Sequence, residues 1–433
     1  MKTKYAQVGM GGRSRMFYQA IANDFNNVAE LVAICDTNLT RLNYANKVLQ
    51  EQFGYNEVPK YMAEDFEKMI LETKPDVIIV TSIDRTHHKY IIKAMEMGCD
   101  VITEKPMTVD EVKCQEIIDC INRTGKTLKV TFNYRYAPHN TKIKELIKNK
   151  TIGEIKQVHF EWMLNTSHGA DYFRRWHRDK RNSGGLLVHK STHHFDLVNF
   201  WLGTYPKKVF AFGDLMFYGK ENAENRGVTK FYSRVHGQKN AVGDPFALVM
   251  EGNSQLENLY LNAEKDDGYI RDQSDFGDNI SIEDTMNVLV KYANGAQMSY
   301  SLNAYSPWEG FRVSFTGTEG RIELEVVEKV YINAEGDSSN EGVVKGKKIT
   351  VYPMFGEAYN VPIEEGLGSH GGGDKVMLEY IFGVKQQDEF KRSASYIDGA
   401  MSILTGIAAN KSIAKEQPIN VLSLVDLSGY RNL

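Results

Sequence analysis

Over its first 131 residues the sequence alternates short β-rich runs with longer amphipathic stretches, and no other feature restricts the fold as much. YAQVGM, ELVAICD, DVIIVTS, DVITEK and LKVTFN have the composition of strands. SRMFYQAIANDF, the segment from Arg41 to Phe53, EDFEKMILET, THHKYIIKAMEMG and VDEVKCQEIIDCINRTG have helical periodicity, with Gly98 and Gly125 where helices should stop. Strands joined through helices run parallel, so a doubly wound α/β sheet is predicted for residues 1–131.

From about Ile155 the texture changes. KQVHFEWML, KKVFAFGDLMF, TMNVLVKYANGAQMSYSLNAY and RVSFTGTEGRIELEV read as antiparallel strands, with turns at Asn294-Gly295 and Glu319-Gly320. A second, α+β domain is therefore predicted for residues 132–433, with DKVMLEYIFGV and SYIDGAMSILTGIAANKSI as late helices. Residues 218–281 are polar and poorly periodic, the pattern of an insertion or extended excursion.

The first strand runs into Gly9-Met10-Gly11-Gly12-Arg13-Ser14, a G-x-G-x-x-S. The first glycine of such a loop permits the tight turn, the second lets backbone approach a pyrophosphate, and a small third residue allows close helix-strand packing. Asp36 ends the second strand, where an acid can accept hydrogen bonds from a ribose. Together these features make the N-terminal third a Rossmann domain and favour NAD. An aspartate there repels a 2′-phosphate, while the nearby Arg13 and Arg41 keep NADP open as the lesser alternative.

With 52 basic against 56 acidic residues, the net charge of -4 offers nothing to a polyanion, so nucleic acid is not an expected partner. The four cysteines have no C-x-x-C spacing and are expected to be buried thiols. MKTKYAQVGMGG enters a strand-like pattern at once and no run approaches 18 apolar residues, so a cytoplasmic protein without a membrane span is expected.

Within GGLLVHKSTHHFDLVNFWLG, three of the eleven histidines fall inside six residues. On one helix, His189, His193 and Asp196 share a stripe, and His194 lies off it and is expected to pack. Histidines at i and i+4 also suit zinc, with Asp196, His168, His177 or His370 as further ligands. No glutamate stands between them as in H-E-x-x-H, so proton transfer is the preferred reading and no metal is assigned.

The run TSIDRTHHKYIIKAMEMGCDVITEKPMTVDE resembles the Gfo/Idh/MocA family, the glucose-fructose oxidoreductase and inositol dehydrogenase relatives, through Thr81, His87, Ala94 with Gly98, and Glu104-Lys105-Pro106. FNYRYAP is similar to the family's sixth strand, GTEGRIEL to a later strand, and GIAANKSI to its C-terminal helix. The resemblance implies a second-domain sheet with one open face, through which the chain forms a homo-dimer or homo-tetramer. It also implies that Gly9, Gly11, Gly12, Arg13, Ser14, Asp36, Thr81, Ser82, His87, Glu104, Lys105 and Asn133 surround the cofactor, and that Tyr134 and Arg135 approach cofactor or substrate.

In the family's D-x-G-x-H-x-x-D pattern His193 falls on the catalytic histidine, whereas His189 replaces the usual aspartate and Ser191 the glycine. A histidine titrating near neutrality can take the hydroxyl proton, and a lysine can stabilise charge developing on the same oxygen. His193 and Lys105 fit those roles, with His189 sharing the proton work or binding substrate. Loss of the aspartate should lower the pKa of neighbouring cations. Arg135 fits a structural ion pair equally well. In FRRWHRDKR, Trp176 can offer an apolar face to a sugar and Arg178 a donor, or the segment is a solvated loop. His370 precedes a helix entry capped by Asp374 and is an outlying site candidate.

The activity implied is an NAD-dependent oxidoreductase acting on a hydroxyl of a sugar, glycoside or polyol. The alternative is a glycoside-cleaving enzyme in which tightly held NAD oxidises a ring hydroxyl transiently, and a third reading is a non-catalytic nucleotide sensor.

Overall fold

The computed structural model describes residues 1–329, 346–364, 372–385 and 387–427; His370 lies outside them. Its first sheet follows the alternation of the sequence. Strands β1 (Thr3–Val8), β2 (Ala29–Asp36), β3 (Lys60–Met62), β4 (Val77–Val80), β5 (Asp100–Thr103) and β6 (Leu128–Val130) are parallel, in the order β6-β5-β4-β1-β2-β3. The connecting helices are α1 (Arg15–Ala22), α2 (Leu39–Phe53), α3 (Phe66–Thr73), α4 (His87–Glu96) and α5 (Glu111–Thr124). Asn38 and Asp110 accept backbone N–H bonds at the starts of α2 and α5, and left-handed Gly54 and Gly125 end them. The winding order of the strands thus reverses between β1 and β4, the place where open α/β sheets bind ligands beyond their strand ends. FNYRYAP departs from expectation: pairing stops at Val130, and Asn133–Tyr136 make a 3-10 turn leading to α6 (Pro138–Lys148), with Pro138 in its first turn.

The second sheet is mostly antiparallel. It comprises β7 (Ile155–Asn165), β8 (Pro206–Asp214), β9 (Thr285–Tyr292), β10 (Gln297–Ser306), β11 (Glu309–Gly317), β12 (Gly320–Lys329), β13 (Gly346–Pro353) and β14 (Tyr359–Val361), with a short last strand, Ile419–Asn420, on β8. Strands β7 and β10 are its parallel pair. Alternation along β7, β9 and β10 buries one face, Phe160, Trp162, Val288 and Tyr300 among it, while His159, Glu161 and Leu289 line the other. The buried face packs on the helix Tyr396–Lys415 and on the histidine segment, and one apolar core continues from there to Val80, Val101 and Phe132 of the first sheet.

The histidine segment is not one helix. α7 (Thr166–Arg174) and α8 (Lys180–Ser183) precede it, and then α9 (Leu186–His189) ends before α10 (Thr192–Leu202) begins. At the joint Ser191 N–H reaches back to Leu186 O and His193 N–H to Lys190 O, so the chain turns between His189 and His193.

Several histidines are buried as neutral rings. His139, beside Phe311, is pushed down to about 3, chiefly by burial, with Lys347 adding. The unfolded chain takes up that proton near pH 6.5. This contribution to stability is therefore complete above pH 6.5 and is lost as pH falls toward 3, by about 1.4 kcal/mol per pH unit. Urea denaturation at pH 7, 6 and 5 is expected to show this loss, and His139→Leu should reduce the slope by about one proton's worth.

Candidate active site

Gly9 sits at φ +89°, and a Cβ on it would fall 2.4 Å from the Ser82 nitrogen, so the glycine loop presses directly against the end of β4. Thr81 Oγ1 donates to Gly9 O (2.6 Å) and Ser14 Oγ to Gly11 O (2.6 Å), fixing the loop from both sides. Gly11, in contrast, faces open space: a Cβ there would meet nothing within 4 Å. At the end of β2, Asp36 Oδ2 accepts from Met10 N–H (2.5 Å) and Oδ1 from Asn38 N–H (2.9 Å) and Thr37 Oγ1 (3.4 Å), leaving Oδ2 a further lone pair. Burial raises its pKa, opposed by Arg41. A cradle open at Gly11, the N-terminus of α1 and an oriented acid fit a dinucleotide's pyrophosphate and ribose.

The other cofactor candidates divide. Arg13 Nε donates to Glu104 Oε1 (2.9 Å) and its Nη2 lies 3.4 Å from Asp374; Glu104 Oε2 also accepts from Lys105 N–H (3.2 Å). His87, expected at the cofactor, instead lies buried between Ser82 O (3.0 Å) and Pro106 O (2.8 Å), tying the ends of β4 and β5 together. Asn133 Nδ2 donates to Asp374 Oδ1 (2.6 Å).

Around Lys105, which follows β5, the structure gathers groups from the loop after β4 and from the segment α7 to α9. His189 Nδ1 lies 2.5 Å from Asp84 Oδ2, and its ring stands 4.2 Å from His177, 5.4 Å from Tyr172 and 6.0 Å from Trp176. Burial pushes the Asp84 carboxyl well above its ordinary range, with Lys105 and Arg175 pulling it down and Glu104 adding to the rise. His177, stacked on Trp176 at 3.6 Å, is driven well down by burial, with His189, Arg175 and Lys105 acting in the same direction. His193 is held edge-on by Tyr134 (5.0 Å) and Phe132 (5.8 Å), so His189 and His193 meet different walls. The carboxylate expected to be missing with the aspartate at 189 is present after all, supplied by Asp84 from the loop after β4.

Asp84 had no signal of its own in the sequence. Neither had the chain from Glu309 Oε1 to His168 Nδ1 (2.6 Å) and from His168 Nε2 to Tyr172 Oη (3.0 Å) behind the same pocket. Two substrate candidates are committed elsewhere. Buried Arg135 forks onto Asp196, Nε to Oδ2 at 2.7 Å and Nη2 to Oδ1 at 2.5 Å, and reaches Asp398 at 2.9 Å. Arg178 donates to Asp278 O (2.7 Å) and Ser274 O (3.4 Å), pinning the 218–281 excursion. His194 stacks on Trp162 at 3.9 Å and bonds Tyr300 Oη at 2.7 Å, inside the core. Arg135→Met should therefore cost about 3 kcal/mol of stability by stranding Asp196 in the core, with KM of the folded protein unchanged. Urea unfolding alongside kinetics checks both halves of that statement.

The architecture is that of a dinucleotide-dependent oxidoreductase. Residues 3–132 match the domain described as oxidoreductase family, NAD-binding Rossmann fold, and residues 144–421 the oxidoreductase family C-terminal alpha/beta domain. The chain belongs to the Gfo/Idh/MocA oxidoreductase family. It is 34% identical to the oxidoreductase YteT of Bacillus subtilis over 438 residues, covering 97% of this chain and 98% of that one. It is also 34% identical to D-glucoside 3-dehydrogenase of Escherichia coli over 177 residues, 41% of this chain and 48% of the other. Among solved structures, WlbA dehydrogenase from Bordetella pertussis, in complex with NADH and UDP-GlcNAcA, superposes with a TM-score of 0.63 at 16% identity, covering 97% and 99% of the two chains. Among the described residues, no helix is long and apolar enough to cross a membrane.

Proposed function

We propose that the protein is an NAD-dependent dehydrogenase acting on a secondary hydroxyl of a sugar, glycoside or polyol. The observation that carries this reading is the Asp84–His189 hydrogen bond of 2.5 Å, set beside Lys105 at the strand ends where a dinucleotide fits. NAD, when bound, supplies the hydride acceptor. Lys105 donates a hydrogen bond to the substrate oxygen and stabilises its developing charge. His193 takes the hydroxyl proton, and His189, oriented by Asp84, stands as a second proton-transfer group. Trp176 and Tyr172 give the sugar apolar faces. NAD is preferred over NADP because Asp36 occupies the ribose end. The arginines that kept NADP open are paired, Arg41 with Asp267 (2.8 Å) and Arg13 with Glu104.

The glycoside-cleaving alternative is favoured by one feature: two imidazoles on separate helices, one of them carboxylate-backed, which an oxidation followed by proton abstraction at the neighbouring carbon requires. Incubating the protein with NAD and either free sugars or aryl glycosides separates the readings. NADH formed in step with substrate consumed supports the dehydrogenase. Aglycone release without net NADH supports the alternative, and neither product from any sugar tested overturns both.

The open sheet face supports self-association. Exposed Phe212 and Leu289 lie on it near the charged row Glu161, Arg312, Glu323 and Glu325. A dimer or tetramer by light scattering is expected, and Leu289→Lys should weaken it.

A further inference from the structure

The excursion between β8 and β9 does not hang in solvent; it folds back onto the nucleotide end of the first sheet. The helix Ser254–Leu259 and the turns after it dock on the corner of β2 and α2. Asn38 Nδ2 donates to Ala263 O (2.9 Å), Thr40 N–H to Asp266 Oδ2 (2.7 Å), and Arg41 Nε to Leu259 O (2.9 Å). Tyr260, buried with Leu248, Met250, Leu256 and Leu259, places its hydroxyl 3.2 Å from where a Cβ on Gly12 would be. The excursion therefore meets the glycine loop at Gly12.

Behind Tyr260 lies Arg271, its guanidinium 5.4 Å from the ring centroid. Arg271 is 5% exposed, and among the described residues only its Nη2 finds an acceptor, Asp171 Oδ1 at 2.6 Å, while Nε and Nη1 are buried without one. Arg175, which shares Asp171 through Nη1 at 3.1 Å, also has a buried Nε without an acceptor. Asp171 and Asp275 are shared among Arg174, Arg175 and Arg271, and Arg175 also acts on Asp84. Buried guanidinium donors are ordinarily satisfied, and a cationic pair with unused N–H groups, packed against the tyrosine that meets the glycine loop, has the chemistry to take an anion.

Resting on the dinucleotide reading above, we propose that Arg271, with Arg175 beside it, is an anion clamp that the excursion carries over the glycine loop to grip the cofactor's pyrophosphate oxygens. The α1 N-terminus and Arg271 would then hold the same phosphates from two sides. A carboxylate or phosphate on the substrate has the same chemistry, and the test separates the two sources.

Calorimetric titration of the full chain with ADP-ribose, which has the pyrophosphate, and with adenosine, which lacks it, provides that test. Arg271→Gln is expected to weaken ADP-ribose about thirtyfold and adenosine less than twofold, with Arg271→Lys intermediate. An ADP-ribose affinity within threefold of wild type overturns the clamp. If it stays there while the affinity of a uronate or sugar phosphate falls tenfold, the anion belongs to the substrate. Failure of the wild type to bind ADP-ribose overturns the dinucleotide reading, and the clamp with it. Hydrogen exchange on the wild type needs no variant: amides 268–273 should slow with ADP-ribose and not with adenosine, and equal protection by both overturns the proposal.

Discussion

Replacing Lys105 with methionine is expected to lower kcat about a thousandfold while NAD binds as it does to the wild type. Lys105 follows β5, and its backbone is fixed on both sides: its own N–H donates to Glu104, and the carbonyl of Pro106 is held by His87. Glu104 is in turn paired with Arg13 from the glycine loop, so the lysine is referenced to the cofactor cradle through a chain of short contacts. Methionine keeps the length and apolar stem of the side chain and removes only the ammonium group, so folding should be preserved. On the proposed mechanism, what disappears is the donor to an oxygen that gains charge in the transition state, a loss of about 4 kcal/mol for a thousandfold effect. Single-turnover NADH formation and NAD binding by fluorescence quenching check the two halves. A kcat within tenfold of wild type removes Lys105 from the chemistry, and a large loss of NAD affinity would make it a cofactor-positioning residue instead.

The parts of this structure that were legible in the sequence are those coded by short-range chemistry. The parallel sheet could be read because each strand is a compact β-rich run, and because stop signals such as Gly125 lie next to the helices they bound. The glycine loop and Lys105 were visible for the same reason. What remained hidden depends on partners distant in sequence. Asp84 looks like an ordinary loop acid until His189, 105 residues away, is brought onto it. Arg135 sits in a motif that suggests a ligand, yet Asp196 and Asp398 decide its fate. The break after His189 is masked because α10 buries nearly all of its residues, so apolar periodicity carries no record of where one helix ends. The excursion was unreadable because polar pairs, Arg234 with Glu264 and Asp272 for instance, hold it where an apolar stripe ordinarily would.

Asp84→Asn is expected to reduce kcat/KM by roughly a thousandfold and to move the acidic limb of its pH profile to lower pH. In its ionised form, which Lys105 and Arg175 favour against burial, Asp84 does two things for His189: it holds Nδ1 so that one orientation of the ring dominates, and it places negative charge where an imidazolium would form. Asparagine keeps the size of the side chain but can present its NH2 to Nδ1, which favours the wrong tautomer. The charge loss acts separately. Lys105, Arg175 and His177 also face this pocket, so removing Asp84 leaves its cations less compensated, with Glu104 as the remaining acid. An imidazolium among uncompensated cations gives up its proton more readily, and the limb shifts down. Rate profiles from pH 5 to pH 9 measure both effects at once. A thousandfold loss with an unmoved limb would mean that Asp84 only orients the ring, and an unchanged rate would leave the short Asp84–His189 bond as a structural tie between the loop after β4 and α9.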